Sequence, residues 1–175
     1  MHRLSARSNK AFSRIQSRNH NDDAHRLEEI YSTIFLSIEA KINLKLKAFN
    51  KVVYGPERNS SELRIKKHNS FSFTSPEDTG TGKSYAGLIG FDMSILSKTR
   101  LPLVIHDSVV YKNIEVAAVK RIIRILSAAK SKQIFLSFDE ANKYGIRTEK
   151  LLTDATALKL SHNDLLYKKD WRDKK

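Results

Sequence analysis

Two short apolar runs with a helical pattern between them limit what this chain can fold into more than any other feature. Leu101-Pro102-Leu103-Val104-Ile105 and Gln133-Ile134-Phe135-Leu136-Ser137-Phe138 are continuous rather than alternating, as in strands buried within a parallel sheet. Between them Val116, Val119, Ile122, Ile123 and Leu126 recur at helical spacing, predicting a helix over roughly 115–130. Strand, helix, strand in this order form a right-handed βαβ unit by default. The first run ends in His106-Asp107-Ser108 and the second in Asp139-Glu140. The carboxyl edge of such a sheet is where α/β folds hold ligands. A polar cap closing a buried strand is the competing account of His106-Asp107-Ser108.

A second feature lies upstream. Pro76-Glu77-Asp78-Thr79-Gly80-Thr81-Gly82-Lys83-Ser84 runs straight into an apolar segment, Tyr85 to Leu96, read here as a buried helix. Permissive residues at a helix start present free N–H groups and the positive end of a dipole, which suits a phosphate. Gly82-Lys83-Ser84 matches the second half of a Walker A loop. The first glycine of that motif falls on Glu77, whose carboxylate would repel phosphate. The run before it, Asn69 to Thr74, alternates polar and apolar residues, as does Leu63 to Lys66. That predicts an antiparallel hairpin, whereas a Walker A loop follows a buried parallel strand. A Gly-Thr-rich turn capping a helix is the plain alternative.

The N-terminal third is different in character. Residues 1–20 carry Arg3, Arg7, Lys10, Arg14 and Arg18 without an acid and read as a basic tail. Asn21-Asp22-Asp23 offers capping side chains for a helix. Leu27, Ile30, Tyr31, Ile34, Ile38, Ile42, Leu46 and Phe49 then follow at steps of three and four, up to Gly55-Pro56. Lys41, Lys45, Lys47 and Lys51 crowd the second half of this helix and are the candidate nucleic-acid contacts. At the other end, Glu149 to Leu152 reads as a short helix and Ala155 to Leu160 as a last alternating strand. Trp171 and Tyr167 read as packing of the terminus, and His25, His68 and His162 as surface residues without metal-ligand spacing.

Charge and length fit one lobe of 21–175 behind the tail of 1–20. The 175 residues carry 32 Lys and Arg against 19 Asp and Glu, a net charge of +13. A polyanionic partner, most simply nucleic acid, is the reading of that excess. The chain has no cysteine and no run approaching the ~20 apolar residues of a membrane span. A reducing, cytoplasmic location and no membrane partner are the expectation. The fold expected is α/β: a mixed sheet built on the βαβ unit, helices on both faces, preceded by one long helix.

Four segments in order carry a resemblance: Asp78-Thr79-Gly80-Thr81-Gly82, Leu88-Ile89-Gly90-Phe91-Asp92, Leu101 to Ser108, and Lys132-Gln133-Ile134-Phe135. Together they resemble the C-terminal domain of prokaryotic SMC-like ATPases, relatives of RecF, RecN and the ABC-three-component systems. The resemblance spans about 27–173. In that family the domain is of unknown function and follows a long coiled coil. The resemblance implies the C-terminal lobe of an SMC/ABC-type ATPase head, with ATP and Mg²⁺ as cofactors. Asp78, Thr79, Gly80, Thr81, Gly82, Lys83 and Ser84 would stand at the signature loop, which contacts ATP on the opposite head. Asp107 would be the Walker B aspartate at the metal, with His106 and Ser108 beside it. The partners implied are an N-terminal lobe carrying Walker A and a second head, giving a homodimer of heads acting on DNA. Ser108 stands where a glutamate should polarise the attacking water; His106 and Asp139 are the possible substitutes. An isolated chain would then be inactive.

Two other accounts fit the residues. One is a self-contained P-loop NTPase using Gly80–Ser84 with Asp139-Glu140. The other is a basic nucleic-acid-binding adaptor with a vestigial nucleotide site. The strand before the loop discriminates between the enzyme readings: a parallel central strand favours the P-loop, an antiparallel hairpin the signature loop.

Overall fold

The computed structural model describes the backbone of residues 2–67, 69–76 and 80–161, and side chains from residue 22 onward. The chain forms two compact units, residues 1–100 and 101–175. Each unit has its own core and its own two-stranded sheet.

The first unit is dominated by α1 (His2–Tyr54), 53 residues and so about 80 Å long at 1.5 Å per residue. The expected helix start at Asn21-Asp22-Asp23 is corrected: the backbone is helical from His2, so the capping residues lie inside the helix. Once a helix is nucleated, each added residue gains a hydrogen bond, and three polar residues do not stop it. The apolar stripe is covered only in its second half. Ile42, Leu46 and Val53 are buried, whereas Leu27, Ile30, Tyr31, Ile34 and Ile38 are all more than 40% exposed.

What covers the second half is a hairpin and a helix. Strands β1 (Glu62–Lys67) and β2 (Ser70–Thr74) pair antiparallel, with Leu63 opposite Phe73 and Ile65 opposite Phe71. Helix α2 (Thr81–Lys98) lies against α1. Ile42, Leu46 and Leu63 form the centre, with Ile65, Phe73, Phe91 and Ile95 packed around them. Phe73 and Phe91 meet with centroids 5.1 Å apart. At Gly90 the two helices approach so closely that an added Cβ would stand 2.7 Å from the Phe49 ring.

The outer edge of β1 is completed by side chains from α1. Asn43 Oδ1 accepts the Leu63 N–H (2.8 Å) and Asn43 Nδ2 donates to the Leu63 carbonyl (2.9 Å). One helical turn earlier, the buried Glu39 carboxylate accepts the Ile65 N–H. Residues four apart on a helix and two apart on a strand have similar spacing, so the helix edge substitutes for a third strand.

The second unit holds the predicted βαβ pattern. Strand β3 (Leu103–His106) leads through the short α3 (Val109–Lys112) and α4 (Val116–Ser127) to β4 (Gln133–Leu136). β3 and β4 pair parallel, Leu103 opposite Gln133 and His106 opposite Leu136. Ala118, Val119, Ile122, Ile123 and Leu126 give α4 a single buried stripe. A 3-10 turn (Ala141–Tyr144) and α5 (Ile146–Asp154) pack onto α4. Tyr111, Phe138 and Tyr144 form a chain of ring contacts, 5.1 and 5.4 Å between centroids.

Two expectations for this unit are corrected. Ala155 to Leu160 is no strand. Thr156 folds back onto α5, its N–H on the Thr153 carbonyl and its hydroxyl on that of Leu152, and Leu158 and Leu160 are exposed. Alternation of small and threonine residues carried too little apolar area to hold a strand in place. Nor is the β3–β4 pair buried on both faces: Ile105 is 71% exposed and its register neighbour Phe135 is 49% exposed. The continuous apolar runs come from a sheet with one face covered by its own unit and the other left open.

Candidate functional site

The carboxyl edge of β3 and β4 gathers a polar cluster. The Ser137 N–H donates to the His106 carbonyl at 3.0 Å, carrying the parallel pairing one residue past the end of β4. Beyond it the chain turns at Asp107-Ser108 on one side and at Asp139-Glu140 on the other. Asp107 is exposed, and its Oδ1 accepts the Ser108 N–H at 2.6 Å. A buried carboxylate would have required a cationic protein partner; an exposed one is solvated and does not. His106 points the opposite way along the strand, as successive side chains must. It is buried, with Nδ1 and the Tyr111 hydroxyl sharing a 2.7 Å hydrogen bond.

Two cations fasten this edge. Lys112, at the end of α3, reaches Asp139 at 2.5 Å, and Lys143, in the 3-10 turn, reaches Glu140 at 2.7 Å. Asp139 is held below the usual carboxylate range, first by the hydrogen bond from Lys112 and then by one from the Ser108 hydroxyl. Lys112 is correspondingly raised, chiefly by its bond to Asp139. Glu140 is lowered by Lys143, and Lys143 is raised by Glu140. The Ser108 N–H and hydroxyl both lie on Asp107 Oδ1, at 2.6 and 3.4 Å. Sequence reasoning missed Lys112 and Lys143. The one available signal was a lysine in each of the two segments that leave the sheet's carboxyl edge.

Among the described residues no group of three or more His, Asp or Glu side chains could cage a metal. Mg²⁺ does not ask for one, since it keeps several waters and takes one or two carboxylates besides phosphate oxygens. Asp107, exposed and with Oδ2 in no hydrogen bond to a described residue, suits that role.

The loop of residues 76–84 belongs to the first unit. Gly80 is the N-cap of α2 in extended conformation, and no described side chain caps the helix. The Lys83 and Ser84 N–H groups turn back to the Gly80 carbonyl (3.2 and 3.4 Å), leaving those of Thr81 and Gly82 directed ahead of the helix. Gly80, Thr81, Gly82, Lys83 and Ser84 thus sit at the helix N-terminus as expected, while Asp78 and Thr79, with Glu77, lie outside the described residues. Lys83 lines a cleft of about 10 Å³ with Asn50, Tyr54 and Ser61, room for one water and not a phosphate. The strand feeding the loop, β2, pairs antiparallel with β1. A Walker A loop on a parallel strand is therefore not what stands here.

The four candidate lysines of α1 are divided. Lys47 and Lys51 line an open groove of about 850 Å³ with Arg58 and the loop that follows α1; Lys41 and Lys45 do not. The loop begins at Gly55, whose φ of 94° is a left-handed conformation that favours glycine. No described helix is long and apolar enough to cross a membrane.

A comparison with curated proteins gives no match. Solved structures with similar folds are SMC ATPase heads. One is the Smc head of Pyrococcus furiosus with an extended coiled coil, bound to the C-terminal domain of ScpA: TM-score 0.50, 13% identity, covering 69% of this chain and 34% of that one. Others are an Smc head bound to the C-terminal winged-helix domain of ScpA (TM-score 0.47, 16% identity, 65% and 37%) and an SMC ATPase studied for ATP-driven dimerization and DNA-stimulated activation (TM-score 0.45, 15% identity, 59% and 70%). The chain spans about a third of the length of the two ScpA-bound heads. The likeness to the Pyrococcus head concerns the fold, which is α/β like the C-terminal lobe of an SMC head. Residues 42–170 match the model of a family described as uncharacterised protein conserved in bacteria (DUF2326), and the chain belongs to that family.

Proposed function

We propose that this chain is the C-terminal half of an SMC-like ATPase head, its residues 21–175 acting as one lobe that shares nucleotide with partners. The observation that carries the proposal is the incompleteness of the parallel sheet. A two-stranded parallel pair with Ile105 and Phe135 exposed on one face is unstable by itself, since parallel sheets need both faces covered and further strands alongside. An N-terminal lobe carrying Walker A would supply both. The uncovered stripe Leu27 to Ile38 on α1 is likewise the surface a second helix of a coiled coil would cover.

In this reading Asp107 holds Mg²⁺, and the ion supplies charge neutralisation at the phosphates when bound. Gly80 to Ser84 would stand at a nucleotide held by the opposite head, in a homodimer of heads, with the Thr81 and Gly82 N–H groups facing it. Ser108 cannot take a proton from water at neutral pH, and His106 is turned into the core. That leaves Asp139 as the acceptor at this edge, available once its ion pair with Lys112 opens. The antiparallel hairpin before the loop favours this account over a self-contained P-loop NTPase. The excess of 13 positive charges favours action on DNA.

The test is turnover by parts. The purified chain alone is expected to hydrolyse no ATP, and hydrolysis is expected when the lobe bearing Walker A is supplied. Sustained hydrolysis by the chain alone, abolished by Lys83→Ala, would establish the self-contained enzyme instead.

A further inference from the structure

We infer that the groove between the last turns of α1 and residues 55–60 is a binding site for the phosphodiester backbone of a nucleic-acid duplex. Its floor and one wall are the exposed flank of α1, where Lys47 and Lys51 stand one turn apart. Neither forms an ion pair with a described residue. The other wall is the loop carrying Arg58, and that loop is held in place at three points. The Gly55 N–H bonds to the Lys51 carbonyl at 3.0 Å. Asn50 Nδ2 donates to the Arg58 carbonyl at 2.6 Å. The Arg58 guanidinium lies over the Tyr54 ring at 5.2 Å. Arg58 is thus oriented before any ligand arrives, which lowers the ordering cost of binding.

The charge of the groove is one-sided. Among the described residues that line it the one acid is Glu62, whose carboxylate is committed to Arg64 at 2.8 Å; Glu57, exposed on the same loop, does not line the groove. The C-terminal dipole of α1 opposes an anion with about half a charge, which three cations outweigh. Asn59 and Ser60 add hydrogen-bonding side chains on the same wall, the residue types that position phosphate without reading sequence. No aromatic ring is among the described residues that line the groove, Tyr54 being covered by Arg58. Base stacking, which single strands rely on, is therefore not offered, and a duplex backbone is the ligand that fits. The site does not depend on the nucleotide reading.

The experiment measures binding of a short mixed-sequence DNA duplex to the whole chain across a salt series. The triple variant Lys47→Gln/Lys51→Gln/Arg58→Gln is compared with Lys66→Gln/Lys67→Gln/Lys98→Gln, which removes the same charge from exposed positions of the same unit. All six side chains are exposed, so both variants should fold. The groove variant is expected to bind about tenfold or more weakly, with a salt slope smaller by roughly 3, since each lost phosphate contact removes about 0.9. The control is expected to stay within about threefold of wild type, since long-range charge is screened. Equal losses in both variants, wild-type binding by the groove variant, or no duplex binding by the wild type would overturn the assignment.

Discussion

Asn43 holds both main-chain hydrogen-bonding groups of Leu63, its amide oxygen on the N–H and its amide nitrogen on the carbonyl. An edge strand is thereby paired by one helix side chain. Asn43→Ala leaves a donor and an acceptor beside a buried Leu63, each costing about 1–3 kcal/mol when no water reaches it. Because the bonds are only half-buried, a loss of about 2–3 kcal/mol in denaturant unfolding is expected. Asn43→Asp keeps the bond from the N–H and should lose less. A loss below about 0.5 kcal/mol in the alanine variant would mean water replaces the amide.

The contact between Gly90 and Phe49 predicts a second cost. A methyl at Gly90 would meet the Phe49 ring at 2.7 Å, and overpacking of this kind costs about 1–3 kcal/mol. Better helix propensity returns up to about 1 kcal/mol. Gly90→Ala is expected to destabilise on balance, and Phe49→Leu in the same chain to relieve part of the loss. Thermal unfolding of the three variants checks this, and a stabilised Gly90→Ala would show that the helices move apart easily.

Much of the fold was legible in the spacing of apolar residues, and the failures are specific. Leu103 to Ile105 and Ile134 to Leu136 were legible as two parallel strands because continuous apolar runs have few other uses. The same runs misled about burial, because a strand with one face open and a strand covered on both can have the same composition. Arg3, Arg7, Lys10, Arg14 and Arg18 are themselves spaced by three and four, so the early start of α1 was present as a pattern of charge rather than of apolar residues. Glu39 and Asn43 looked like ordinary polar positions. Their clue was i,i+4 spacing beside a buried stripe. The carboxyl edge that carries Asp107 and Asp139 was legible as a place. It was not legible as a network, since Lys112 and Lys143 enter through turns whose geometry the sequence does not encode plainly.

The Lys112–Asp139 pair predicts a pH dependence. Asp139 is lowered, so its contribution to stability is present above the ordinary carboxylate range near 3.9 and is lost as pH falls through the depressed value. Lys112 is raised, so its contribution is present below about 10.4 and is lost as pH rises through the elevated value. Both side chains are about half exposed, which keeps the energy small. Titration of the Asp139 carboxyl by NMR should show it moving up toward the ordinary range in Lys112→Met. No movement would mean that Ser108 alone holds it down.

The most direct measurement is ATP turnover of the assembled ATPase with Asp107→Asn, alongside thermal unfolding. Asparagine keeps the Oδ1 that accepts the Ser108 N–H at 2.6 Å, and the position is exposed, so stability should change by less than about 0.5 kcal/mol. What disappears is the negative oxygen for the metal. The predicted result is a folded protein with hydrolysis abolished. Wild-type turnover in a folded Asp107→Asn protein would contradict the account and make Asp107 a strand cap.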